Sequence, residues 1–194
     1  HYVIPLASDD YLINNMTLSR IKLLNKNPDK LMLINDAIVV DEKNNSVCSS
    51  GNFEYYKGNK KNFTSDKGLM TEIVRNWACV GPICIIDKKI YEEIGYYNPE
   101  LAVEDWDFYL RASSKKLILF ADIKVAAYRV HTDNAHVLLS KRIAMLQAIG
   151  KTALANTACF NFPLNTILYY KYIKANFSIS KAYIETILSK RKKV

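Results

Sequence analysis

Long apolar runs are missing from this chain. None approaches the ~20 residues that a bilayer-spanning helix needs, and the N-terminus has no charged-then-apolar leader pattern. The expectation is a chain that does not cross a membrane and works in the cytoplasm or at the membrane's inner face. Cysteine is sparse and poorly spaced: Cys48, Cys79, Cys84 and Cys159 form no C-x-x-C pair. That spacing argues against a zinc knuckle or a dense disulfide framework and favours a reducing compartment. No internal repeat is visible, so a repeat array is not expected. An opening methionine is absent too. The chain starts at His1 and enters the strand-like run Tyr2-Val3-Ile4-Pro5-Leu6 almost at once, which suggests a piece of a longer protein.

What remains is an ordinary globular composition. At 194 residues, with 49% hydrophobic and 24% charged residues, the chain can bury a core of its own. Its net charge of +8 favours anionic partners in general, but the lysines are spread out and gather only at Lys190-Arg191-Lys192-Lys193. Nothing in that distribution calls for nucleic acid.

Periodicity predicts an α/β order. After Leu6, Ser8 or Asp9 can cap a helix running to about Asn27, where Pro28 enforces the stop. Leu31 to Val40 reads as a buried strand broken at Asn35-Asp36, and the cluster Asp41 to Asn45 reads as a hairpin turn. Residues 50 to 68, polar and glycine-bearing, fit neither period and read as a mobile excursion. A short helix from Met70 to Asn76, the Gly81-Pro82 turn and a strand at Ile83 to Ile86 follow. Asp87 can cap a helix that Gly95 ends. Helical spacing predicts Glu104 to Ser114 as a helix with its acids in the first turn. Leu117 to Phe120 and Lys124 to Val130 have strand composition. Beyond about Asn134 the pattern is helical, divided at Pro163 and again near Ser178-Ile179-Ser180.

Three segments carry the candidate chemistry. They are Ala7-Ser8-Asp9-Asp10 after an apolar run, Glu104-Asp105-Trp106-Asp107 opening a helix, and Tyr128-Arg129-Val130-His131 closing a strand. Taken in this order, with Gly95-Tyr96-Tyr97-Asn98 before the second, the pattern resembles the second half of a family 2 glycosyltransferase of the GT-A fold, over about Tyr2 to Asn134.

The resemblance implies an incomplete GT-A-like mixed sheet with flanking helices over residues 1–134, holding the acceptor and metal half, and a helical C-terminal extension over 135–194. It implies an inverting, metal-assisted transfer of a sugar from a nucleotide-sugar, a UDP-sugar by expectation, to a saccharide or lipid-linked acceptor. Mn²⁺ or Mg²⁺ would be held by Asp9 and His131, Asp105 would be the catalytic base, and Asp10, Glu104, Trp106 and Gly81 would contact substrate. In that family a nucleotide-binding βαβ half precedes the acidic motif. Such a unit takes about 30 residues, so this chain by itself is expected to lack donor affinity and activity. At the motif's first acidic position this chain has Ala7.

Plainer readings stand beside these. Ser8-Asp9-Asp10 and Glu104-Asp105 both suit helix N-termini, where the macrodipole favours acids. A lone histidine is commonly structural, and Trp106 on an apolar stripe suits a core. A different class of function, a non-catalytic basic module contacting an anionic polymer or a membrane surface, accounts for the charge. For the helical extension the sequence suggests packing on the transferase half, a contact between copies of the chain, or a peripheral membrane contact.

Overall fold

The computed structural model describes residues 1–13, 15–131 and 139–191. The chain divides into two compact units, His1–Tyr96 with Tyr109–Asp133, and Tyr97–Phe108 with Asn134–Val194.

The first unit is built on a six-stranded mixed sheet. Its strands are β1 (Tyr2–Val3), β2 (Tyr11–Leu12), β3 (Met32–Val40), β4 (Ser46–Cys48), β5 (Cys84–Asp87) and β6 (Ile118–Arg129), in the order β1-β5-β3-β6-β2 with β4 added to β3. Only the β3–β6 pair is parallel. Strand β3 lies at the centre, and its near-continuous apolar sequence follows from being covered on both faces: Met32, Leu33, Ile34, Ala37 and Val39 are fully buried. On one face α1 (Thr17–Asn25) lays Leu24 against Leu33 and Ile85.

Residues 50 to 68 are not the irregular excursion that their composition suggests. A π-helical turn, Gly51–Tyr55, and a 3₁₀ turn, Lys60–Thr64, lead into α2 (Asp66–Arg75). Two buried polar groups hold them. Asp36, with no exposed surface, pairs with Lys124 and accepts from Ser50 Oγ at 2.6 Å and from the Asn52 N–H at 3.0 Å. Glu72, equally buried, accepts from Asn62 Nδ2 at 2.7 Å and Asn76 Nδ2 at 2.8 Å. The glycines mark close approach: a Cβ at Gly58 would sit 2.8 Å from the Asn52 carbonyl oxygen, and one at Gly68 would collide with that of Asn62. Composition alone cannot distinguish such glycines from flexible ones.

Three other expectations change. The helix expected from Ser8 or Asp9 begins only at Thr17, because Tyr11 and Leu12 pair with Ala127 and Ala126 as an extra antiparallel strand. The two strands expected at Leu117–Phe120 and Lys124–Val130 are one, β6, which follows β3 across a register irregularity at Asp36. The hairpin after β3 forms as read, with the Asp41 carboxylate accepting from the Lys43 and Asn45 N–H groups, both at 2.8 Å. Helix α3 (Ile90–Ile94) stops at Gly95, whose φ of +74° suits glycine.

The second unit contains the first turn of α4 (Glu104–Ser114) together with α5 (Leu139–Ala155) and α6 (Leu164–Arg191). Gly150 lets α5 approach α6 closely, since a Cβ there would meet that of Ala175 at 3.1 Å. Pro163 does separate the two long helices. The expected break near Ser178 to Ser180 is absent: α6 runs through it, and the Ser180 hydroxyl bonds the Asn176 carbonyl oxygen at 3.0 Å within the helix. The boundary expected near Asn134, and Lys192 and Lys193 of the basic run, lie outside the described residues. No helix among the described residues is long and apolar enough to cross a membrane.

Candidate functional site

At the carboxyl ends of β3 and β6, three stretches distant in sequence meet. The turn Ser8-Asp9 precedes β2, Asp41 and Glu42 follow β3, and His131 follows β6. His131 Nε2 lies 2.9 Å from Asp9 Oδ2, and its Nδ1 lies 3.3 Å from Glu42 Oε1. Both ring nitrogens therefore face carboxylates. The Asp9 contact is the larger reason that the imidazole is held above its ordinary pKa, and Glu42 adds to it. Reciprocally, the hydrogen bond to His131 leads the causes that lower the Asp9 carboxyl. All three side chains are open to solvent.

Arg129, the residue two before His131, ties this corner together. Its guanidinium donates to the Asp9 carbonyl oxygen at 2.9 Å, the Asp41 carbonyl oxygen at 2.8 Å and Asn44 Oδ1 at 2.8 Å, and it lies over the Tyr11 ring. One side chain thus joins the acidic turn, the β3–β4 hairpin and β2 to the end of β6.

Asp10, next to Asp9, has a different environment. It is 8% exposed, and Oδ1 accepts from the Arg129 backbone N–H at 2.8 Å. Burial leads the causes that raise its carboxyl, and the neighbouring Asp9 charge acts the same way. Gly81 is beside it: a Cβ built there would lie 3.9 Å from Asp10 Oδ2, an ordinary contact, so space does not demand glycine. The turn carrying Gly81 is gripped by Arg20, which is 2% exposed and donates to Asn35 Oδ1 at 2.8 Å and to the Ile83 carbonyl oxygen at 2.9 Å.

Glu104 and Asp105 occupy the first turn of α4. Asp105 Oδ1 accepts from the Trp106 N–H at 2.7 Å. Solvent touches the carboxylate, yet protein atoms crowd it, and that crowding is the main cause that raises its pKa. The Glu104 charge raises it further, and the Trp106 N–H opposes. Trp106 takes the core position that its apolar stripe suggests rather than a place against substrate. It is 3% exposed, and the Lys171 ammonium lies 5.6 Å above its ring, because the apolar stripe of α4 turns it inward. Asp107, buried on the same helix, accepts from Asn156 Nδ2 at 2.7 Å.

Of the residues expected from sequence, the structure brings Asp9 and His131 together, and separately Asp10 and Gly81, while Glu104 and Asp105 share one helical turn. Sequence pattern gives Glu42 and Arg20 no role, and Arg129 none beyond its place in the Tyr128 to His131 segment. Asp41-Glu42 was read only as a turn. The one available signal was that an acidic turn closes the strand whose parallel neighbour ends in the histidine motif. Among the described residues no three of His, Cys, Asp and Glu converge as a metal-binding set. No protein-family model matches this sequence, and a search of curated proteins finds no match.

Proposed function

We propose that this chain carries the acceptor side and the cation-holding pair of an inverting glycosyltransferase of the GT-A type, using a nucleotide-sugar donor and a saccharide or lipid-linked acceptor. The observation that supports it is the Asp9–His131 pair. Asp9 Oδ2 and His131 Nε2 are 2.9 Å apart, joined by a hydrogen bond, and would be the two groups to hold such a cation once the proton between them is lost. Glu42 at Nδ1 is the partner a ligating histidine needs, because it fixes the tautomer that offers Nε2. An oxygen and a nitrogen donor would suit Mn²⁺ better than Mg²⁺. When bound, such a cation supplies positive charge to the diphosphate oxygens of the donor.

The rest of the chemistry falls to the chain's own side chains. Asp105, whose carboxylate accepts from the Trp106 N–H, accepts the proton of the acceptor hydroxyl. The acceptor oxygen bonds to the anomeric carbon as the bond from that carbon to phosphate oxygen breaks. The nucleoside diphosphate departs with the bonding pair. A raised carboxyl makes a stronger base than an ordinary aspartate. Glu104, exposed beside it, orients the acceptor, and its charge supports that basicity. Asp10 positions: it holds the end of β6 and so the approach of His131 to Asp9.

The first test uses the chain alone. Titration with Mn²⁺, followed by loss of the free-ion EPR signal, is expected to show one site that weakens at least tenfold in Asp9→Asn and in His131→Gln. Affinity unchanged by either substitution, or no binding at pH 8, would remove the basis for the reading.

A further inference from the structure

The positive charge of this protein is concentrated in one part of the chain. Residues 135–194 contain ten lysines and arginines and one acid, Glu185, whereas residues 1–134 contain 17 basic and 18 acidic residues. Helix α6 runs through the basic part, and it is apolar on two opposite sides. Leu168 and Ala175 are buried. On the other side Tyr169, Tyr170, Ile173, Phe177 and Ile184 are exposed, Tyr170 by 61% and Phe177 by 71%. At 3.6 residues per turn these five fall within about 100° of arc, directly away from Leu168 and Ala175. Lys174 and Lys181, both exposed, border this arc on one edge.

We infer that the outward face of α6 docks on the surface of an anionic lipid bilayer. Aromatic and aliphatic side chains enter the headgroup boundary, and the bordering lysines meet the lipid charge. Mixed Tyr, Phe and Ile suits a membrane interface, where a ring body is apolar and its hydroxyl stays wet. Charge decides between this occupant and a second copy of the chain. A helix pair made through the same stripe would juxtapose two basic segments with Glu185 as the one acid on each helix, whereas an anionic surface complements them. The inference does not depend on the glycosyltransferase reading, and either can fail alone.

The test is vesicle flotation of the full chain with phosphatidylcholine vesicles and with vesicles carrying about one third phosphatidylglycerol. Binding to the anionic vesicles alone is expected, weakening as salt rises from 50 to 500 mM on the order of the Debye screening of surface charges. Phe177→Ser with Tyr170→Ser should lower the partition coefficient at least tenfold at an unchanged melting temperature, since both positions are exposed. Each of Lys174→Gln and Lys181→Gln should lower it by about fivefold. Phe177→Trp should keep binding and shift its emission to the blue on adding anionic vesicles, above the background of Trp77 and Trp106. Equal binding to neutral vesicles, or none to either kind, would overturn the inference. So would a dimer in light scattering that Phe177→Ser dissociates, or retention on an oligonucleotide that the vesicles do not displace.

Discussion

The corner at the ends of β3 and β6 and the first turn of α4 both present carboxylates to solvent, but they treat them in opposite ways. At the corner each acid is met by a cation or a donor: His131 stands between Asp9 and Glu42, and Arg129 spans the backbone behind them. At α4 no basic side chain among the described residues pairs with Glu104 or Asp105, and backbone N–H groups, that of Trp106 foremost, meet the Asp105 carboxylate. Neighbours depress the Asp9 carboxyl and crowding elevates that of Asp105. The difference teaches what each place is suited to hold. The corner favours a positive charge beside its carboxylates, and the helix turn favours a protonated carboxyl.

Removing the acid at α4 is the largest test of that contrast. On the proposed glycosyltransferase reading, Asp105→Asn should reduce turnover by about 10²- to 10⁴-fold, the ordinary worth of a general base, with an unchanged thermal melt. The wild-type pH–rate profile should have its acidic limb above ~3.9, the ordinary aspartate value, because activity requires the ionised form. Retained turnover in Asp105→Asn would dissolve the assignment.

At the corner the disruptive change is Arg129→Ala. It removes three hydrogen bonds and the ring contact, and should cost about 2–3 kcal/mol of unfolding free energy by denaturant titration. A loss below half a kcal/mol would mean that the corner holds without its clamp.

A finer separation comes from pH, because on the proposed reading proton and metal compete for one place. The raised His131 value means that its ion pair favours the folded state fully below pH ~6.5, and that this contribution fades as pH climbs through the raised value. Mn²⁺ affinity must run the other way, improving as the imidazole loses its proton, by about tenfold per pH unit on the acidic side. Glu42→Gln should lower both the histidine value, read by NMR titration, and the metal affinity, the latter by about 10- to 100-fold. Parallel pH trends for stability and metal binding would break the picture of a shared place.

The smallest effect is expected at Gly81→Ala. The added methyl has room beside Asp10, so stability should move by no more than about 0.5 kcal/mol. A larger loss would show that Asp10 needs its neighbour bare.

Much of this contrast was legible before any coordinates. Helical spacing located α4 and placed Glu104 and Asp105 in its first turn, since a local pattern dictates a local structure. The strand-ending His131 and the acidic turn at Asp9 were also visible, because each lies against an apolar run. What escaped was long-range. Tyr11-Leu12 is too short to show a period and becomes a strand only by pairing with Ala126 and Ala127. Asp36 reads as a break in β3 until Lys124, Ser50 and Asn52 satisfy it. Glu42 gains its meaning from a histidine 89 positions later, and Trp106, whose stripe suits a core, is placed there by burial.

Strand β3 has bonded neighbours along both edges and no face open to water at its middle, so deuterium should replace its amide protons only when the first unit opens as a whole. Asp41 and Glu42 leave from the end of that strand, on its least yielding thread. Local opening at this corner is therefore expected at the hairpin tip and in the turn before β2, while the sheet stays a fixed frame.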